Sequence, residues 1–88
     1  MNKELTIVNK MGMHARPAAQ FVKRASKYKC DVWVEKDDEP VNGKSIMGLM
    51  MLAAGHGEKI KLTTQGVDAE AAMADLEELI TSGFGDVE

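Results

Sequence analysis

Eighty-eight residues suffice for one domain, and a domain of that size buries too little surface to enclose a deep substrate cavity. With 44% hydrophobic and 28% charged residues the mixture is ordinarily globular, so chemistry is expected at the surface and selectivity from protein partners. The net charge of −3 conceals a polarity: the first 29 residues carry seven basic side chains against Glu4 alone, and the rest carry four lysines against thirteen acids. That pattern argues against general nucleic-acid binding and for docking onto an acidic protein surface.

Residues 3–8 alternate, with Leu5 and Ile7 on one face, and predict a strand. A loop over 9–13 follows. From 15 to 27, Ala18, Phe21, Val22 and Ala25 recur at helical spacing behind Pro17, which sits in the first turn where a missing N–H costs nothing. Residues 31–36 alternate again, Val32 and Val34 opposing Trp33. Residues 37–40 are expected to turn and 41–44 to return as a short strand. Ser45 stands at an N-cap position before an apolar run from Ile46 to Ala54, ended by Gly55 and Gly57. Residues 59–64 make a fourth strand on the alternation of Ile60 and Leu62. Asp68 is expected to cap a last helix carrying Ala69, Ala72, Met73, Leu76, Leu79 and Ile80, stopped at Ser82-Gly83.

The order βαββαβα, with right-handed connections, places strand 4 between strands 1 and 2. The expected fold is an α/β (α+β) open-faced sandwich: a four-stranded antiparallel sheet of order 1-4-2-3, with three helices on one face and Trp33 on the other. Residues 1–88 form a single domain in this reading, without linker or repeat. The single cysteine, Cys30, allows no internal disulfide, and no apolar run approaches the roughly 20 residues of a membrane span. A soluble cytoplasmic protein is expected, since Asn2-Lys3-Glu4 does not open a signal peptide.

Two stretches carry chemical information. In Gly12-Met13-His14-Ala15-Arg16-Pro17-Ala18-Ala19, an imidazole stands at a helix mouth with a guanidinium two residues on. Imidazole is nucleophilic at neutral pH and a good leaving group once phosphorylated. Helix-start amides attract anions, and Arg16 can add charge-assisted hydrogen bonds to phosphoryl oxygens. Gly12 would let the loop backbone approach the site. Spacing alone leaves open an ordinary surface histidine beside a cap.

The second stretch, Lys44-Ser45-Ile46-Met47-Gly48-Leu49-Met50-Met51-Leu52, is too apolar for every side chain to face a core. Some of Ile46, Met47, Met50 and Met51 are expected at the surface, where methionine makes an adaptable contact. Gly43-Lys44-Ser45 imitates a P-loop tail, but Asp38 occupies the position of the required upstream glycine, so nucleotide binding is rejected.

Together these segments resemble, over essentially the whole chain, the histidine-containing phosphocarrier (HPr) family of the bacterial phosphoenolpyruvate-dependent sugar phosphotransferase system. The resemblance implies that His14 is phosphorylated on Nδ1 by enzyme I and delivers to IIA domains of sugar transporters, with Arg16 assisting. It further implies Ser45 as a regulatory phosphorylation site for a dedicated HPr kinase. Met11 and Met13 stand where the family usually has leucine, a conservative change. A nitrogen-branch phosphorelay carrier and a regulatory HPr-like binding module are the alternatives; Lys44-Ser45-Ile46-Met47 favours the sugar branch and His14 disfavours the module. A small hydrolase lacks a base–nucleophile pair.

The expected contact surface joins His14, Arg16, Ala19, Lys23, Arg24 and Lys27 to Ile46, Met47 and Met50, an apolar centre with a basic edge. Phosphorylation of Ser45 would add about two negative charges beside that centre and repel an acidic partner without unfolding the helix. His56 reads as a loop residue. No metal site, cofactor or membrane insertion is expected, and the protein is expected to be a monomer.

Overall fold

The computed structural model describes residues 1–85; residues 86–88, part of the expected single domain, lie outside the described residues. The strands are β1 (Asn2–Thr6), β2 (Asp31–Lys36), β3 (Glu39–Asn42) and β4 (Lys59–Gln65). The helices are α1 (Ala15–Ala25), α2 (Ile46–Leu52) and α3 (Ala69–Thr81), with a 3-10 turn at Gly83–Gly85. The sheet runs β1-β4-β2-β3, antiparallel at every pairing, as the connectivity predicts.

Alternation decides which face is covered. Leu5, Val32, Val34, Ile60, Leu62 and Thr64 are buried, whereas Glu4, Asp31, Trp33, Lys59 and Lys61 reach solvent. The buried row packs with Ala18, Phe21 and Ala25 of α1, Leu49 and Leu52 of α2, and Ala72, Met73, Leu76 and Ile80 of α3 in one core. Trp33 stays partly exposed on the open face, with Thr63 and Asn42 as its cross-strand neighbours.

Four local expectations are corrected. Pro40, expected in the turn, lies in β3 opposite Glu35. The turn is Asp37-Asp38, both at positive φ (54° and 65°), as a two-residue type I′ hairpin requires. β3 is an edge strand, so a proline there removes no necessary ladder bond.

β1 ends at Thr6 instead of Val8, although pairing continues irregularly: the Ile7 amide donates to the Glu58 carbonyl at 2.9 Å and the Gly57 amide to the Ile7 carbonyl at 2.7 Å. α2 ends at Leu52, before Gly55, because Ala53 turns left-handed at φ 53°. The Lys36 ammonium holds the carbonyl of Ala53 at 3.1 Å and that of Leu52 at 3.5 Å, replacing the cap a glycine was expected to provide.

Asp68 does not cap α3 with its side chain. Its carboxylate instead accepts the backbone amides of Lys29 at 2.8 Å and Cys30 at 2.9 Å, fastening the α1–β2 connection to the start of α3. Those amides, Lys29 first, hold the carboxyl below its ordinary value of 3.8. A carboxyl with a lowered folded pKa contributes stability above its ordinary value and loses it as pH falls through the lowered one. Asp68→Asn is therefore expected to lower the melting temperature by a few degrees at neutral pH and to flatten the acid limb below about pH 4. Thermal melts across that range check it, and parallel acid limbs for the two proteins would refute it.

Candidate phosphoryl-acceptor site

The site is assembled from the loop ahead of α1. Gly12 is buried at φ 69°, and a Cβ there would lie 2.5 Å from the Ala54 carbonyl oxygen and 2.8 Å from Gly55 Cα. The loop thus lies directly on the segment that follows α2. The Met13 amide donates to the Ala54 carbonyl at 2.8 Å. The buried Asn9 side-chain amide donates to the Gly12 carbonyl at 2.8 Å, and the His14 amide reaches the same oxygen at 3.0 Å.

These bonds deliver His14 to the N-cap of α1 with an extended backbone (φ −92°, ψ −169°). Its carbonyl accepts the Ala18 amide at 3.0 Å, so the helix is capped through the main chain. The imidazole makes no cap bond and is half-buried. The first turn of α1 holds no acidic residue to oppose an incoming anion, and Arg16 is exposed two residues into the helix.

α1 turns Pro17, Ala18, Phe21 and Ala25 to the core and leaves Ala15, Ala19 and Lys23 exposed. Lys27 is exposed just beyond its end. Arg24 differs: its guanidinium pairs with Asp75 and stands 3.7 Å from Glu78, both on α3. Asp75 also accepts the Tyr28 hydroxyl at 2.7 Å. The Asp75 hydrogen bond and charge push the Arg24 pKa up, and Tyr28 with Arg24 pulls the Asp75 carboxyl down. Arg24, expected at the contact surface, thus has its charge balanced by α3.

α2 begins beside α1. A Cβ at Gly43 would stand 2.5 Å from Val32 Cγ1 and 3.1 Å from Phe21, so the turn before α2 is pressed onto the core side of α1. Ser45 caps α2 as expected, its Oγ accepting the Gly48 amide at 3.0 Å. The Lys44 ammonium donates to the Tyr28 carbonyl at 2.7 Å and ties the two connections together. Only Leu49 and Leu52 of α2 are buried; Ile46, Met47, Met50 and Met51 are all exposed, beyond the expectation that some would be.

Sequence reasoning missed the support beneath this loop. Glu58 Oε1 accepts the Gly55 amide at 2.6 Å, and Oε2 pairs with Lys36 at 3.0 Å. The Gly55 amide, then Lys36, holds the Glu58 carboxyl below its usual range. These groups brace the segment whose Ala54 carbonyl holds Met13. The Glu58–Gly55 bond spans only three residues, but nothing local marks Lys36, which reaches Glu58 only once the sheet has formed. His56 is an exposed loop residue. Among the described residues no acid, histidine and cysteine group could hold a metal, and no helix is long and apolar enough to cross a membrane.

Residues 1–82 match the family described as "PTS HPr component phosphorylation site". The phosphocarrier protein HPr of Neisseria meningitidis is 50% identical over 88 residues, covering all of this chain and 99% of that protein. The crystal structure of an HPr from Thermoanaerobacter tengcongensis superposes with a TM-score of 0.96 at 48% identity, covering 100% of this chain and 99% of that one. A second structure from that organism, described as an HPr dimer, has a TM-score of 0.79 at 51% identity and covers 96% of this chain and 99% of that one.

Proposed function

The chain belongs to the HPr family of phosphocarriers, whose members carry a phosphoryl group and are not catalysts, and from that premise we propose that His14 is the acceptor and Arg16 its partner. The observation that carries the reading is an imidazole at a helix mouth whose own residue is held there through its main chain, its ring making no cap bond. Its ring is not committed to capping, so a nitrogen lone pair can serve the reaction.

The ring nitrogen attacks phosphorus on enzyme I, itself charged from phosphoenolpyruvate. A phosphorus–nitrogen bond to His14 forms as the bond to the donor breaks, and the donor keeps that electron pair. The transferring group carries charge on its equatorial oxygens, which suits the start of α1 and the Arg16 guanidinium. Delivery to a IIA domain of a sugar transporter repeats the displacement with the His14 ring as leaving group. Ala15 and Ala19, small and exposed, let a partner approach closely, with Lys23 and Lys27 at the edge and Ile46, Met47 and Met50 as the apolar contact. The domain acts in the cytoplasm as a monomer and presents one face to successive partners. Incubation with phosphoenolpyruvate and enzyme I tests this: the protein gains one acid-labile phosphoryl group. A protein that takes up none would instead be the binding module of the same fold.

Ser45 is the regulatory site in this reading, modified by an HPr kinase. Its Oγ already caps α2, and its neighbours Ile46 and Met47 are exposed. Ser45→Asp is expected to keep the fold and lower the rate of acceptance from enzyme I by about tenfold, as a like charge against an acidic partner implies. Stopped-flow transfer at low and high salt checks it. The deficit shrinks with salt if repulsion is its cause, and a wild-type rate at low salt would refute it.

A further inference from the structure

The seven methionines divide sharply by accessibility. Met13 and Met73 are 4% and 1% exposed within the core, whereas Met11, Met47, Met50 and Met51 are 69%, 73%, 45% and 79% exposed. Met1 is exposed at the chain start, on β1's side of the sheet. Three of the seven residues of α2 are methionines and none of the three is buried. Met11 precedes Gly12 in the loop that rests on Ala54 and Gly55, just past the end of α2. Apart from Met1, the accessible thioethers therefore border the His14 loop and the apolar contact surface, and the inaccessible ones lie in the core.

We propose that Met11, Met47, Met50 and Met51 are sites of reversible sulfoxidation by hydroperoxides, and that sulfoxide at these positions weakens docking of the partners that exchange phosphoryl groups with His14. The inference rests on the carrier reading above. In the reaction a sulfur lone pair attacks the terminal peroxide oxygen and the sulfur–oxygen bond forms as the oxygen–oxygen bond breaks. Hydrogen peroxide leaves as water; sulfur loses two electrons and the peroxide gains them. A dithiol-dependent sulfoxide reductase restores the thioether, forming a disulfide and water.

Three features favour this chemistry here. Oxidation of a thioether needs only contact with the oxidant, so exposure controls it. The competing thiol is shielded: Cys30 is the only cysteine and is 2% exposed. Burial, followed by the neighbouring Asp68, also pushes its pKa up and suppresses the thiolate that peroxide would attack. Finally, the sulfoxide oxygen is a strong acceptor with no donor prepared for it on an apolar contact surface. The core side of α2, Leu49 and Leu52, stays untouched, so modification changes the surface and leaves the fold.

Graded hydrogen peroxide treatment of the whole protein, followed by peptide mass spectrometry, gives the order of oxidation. Met11, Met47 and Met51 are expected at least about tenfold faster than Met13 and Met73, as contact-controlled oxidation implies. Equal rates would overturn the proposal. Treated protein with an unchanged melting temperature should accept phosphoryl groups from enzyme I at least about tenfold more slowly at limiting protein, the consequence of an unsatisfied buried acceptor. Sulfoxide reductase with dithiothreitol should restore the rate.

In the variant carrying Met11→Leu, Met47→Leu, Met50→Leu and Met51→Leu, the treated-to-untreated rate ratio should stay near one. An unchanged rate in sulfoxide-bearing wild type, a loss of the fold, or the same deficit in the variant overturns the proposal while the carrier reading stands. Untreated protein that accepts no phosphoryl group overturns both, and the untreated lane alone identifies that case.

Discussion

Replacing His14 with alanine is expected to abolish phosphoryl acceptance, lowering transfer from enzyme I by roughly 10⁴-fold or more, because on the proposed reading nothing else at the helix mouth forms the covalent bond. The fold should survive. The imidazole makes no cap bond, and the main-chain bonds of Met13, His14 and Ala18 do not depend on the side chain. The melting temperature is therefore expected to move by only a few degrees. The chain has one other histidine, His56, in an exposed turn on the segment following α2. His56→Ala serves as the control and should accept phosphoryl groups at the wild-type rate. Radiolabelled transfer from phosphoenolpyruvate through enzyme I measures both variants. An acid-labile phosphoryl group retained on His14→Ala would remove the basis of the assignment.

Gly12→Ala should be the most damaging single change outside the core. Two costs coincide at that position. The backbone is left-handed at φ 69°, and the new Cβ would meet backbone atoms, the Ala54 oxygen at 2.5 Å and Gly55 Cα at 2.8 Å. Neither neighbour is a flexible side-chain tip, so relief requires moving the loop or the segment after α2. Strained backbone and overpacking together cost about 2–4 kcal/mol. For a domain of this length that is a fall in melting temperature of roughly 10–20 °C.

Displacing the loop also stretches the bond between the Met13 amide and the Ala54 carbonyl, so acceptance by His14 should fall along with stability. Differential scanning calorimetry gives the first effect. Amide chemical shifts of Met13 and Gly55 locate the movement. A melting temperature within about 2 °C of wild type would show that the contact yields easily, contrary to the geometry.

Such contacts explain where local reasoning stopped. Pro40 looked like a turn residue because proline is excluded from most strands, yet an edge strand leaves its nitrogen facing no partner. Gly55 looked like the end of α2, yet the helix closes earlier at Ala53 because Lys36, sixteen residues before Leu52, grips the last carbonyls. Asp68 had the residue type of an N-cap, yet its carboxylate answers two amides from another connection. Arg24 belonged to a basic run, and nothing near it in the chain announced that Asp75 and Glu78 on α3 would balance its charge. At Ala53 and Asp68 the local preference was overruled by a group distant in the chain.

The proposed acceptor site was legible because its parts are adjacent: His14, Arg16 and Pro17 lie within four residues, and a helix start needs no distant partner to present amides. Ser45 was legible for the same reason, its hydroxyl reaching an amide three residues on. The sequence by itself determined the element order, the strand faces and the sheet order, since hydrophobic period and connection handedness are short-range properties. Only the tertiary structure decided how the His14 loop is seated. That seating depends on Ala54, Glu58 and Lys36, and a chain carries no local mark of side chains that meet only after its strands have paired.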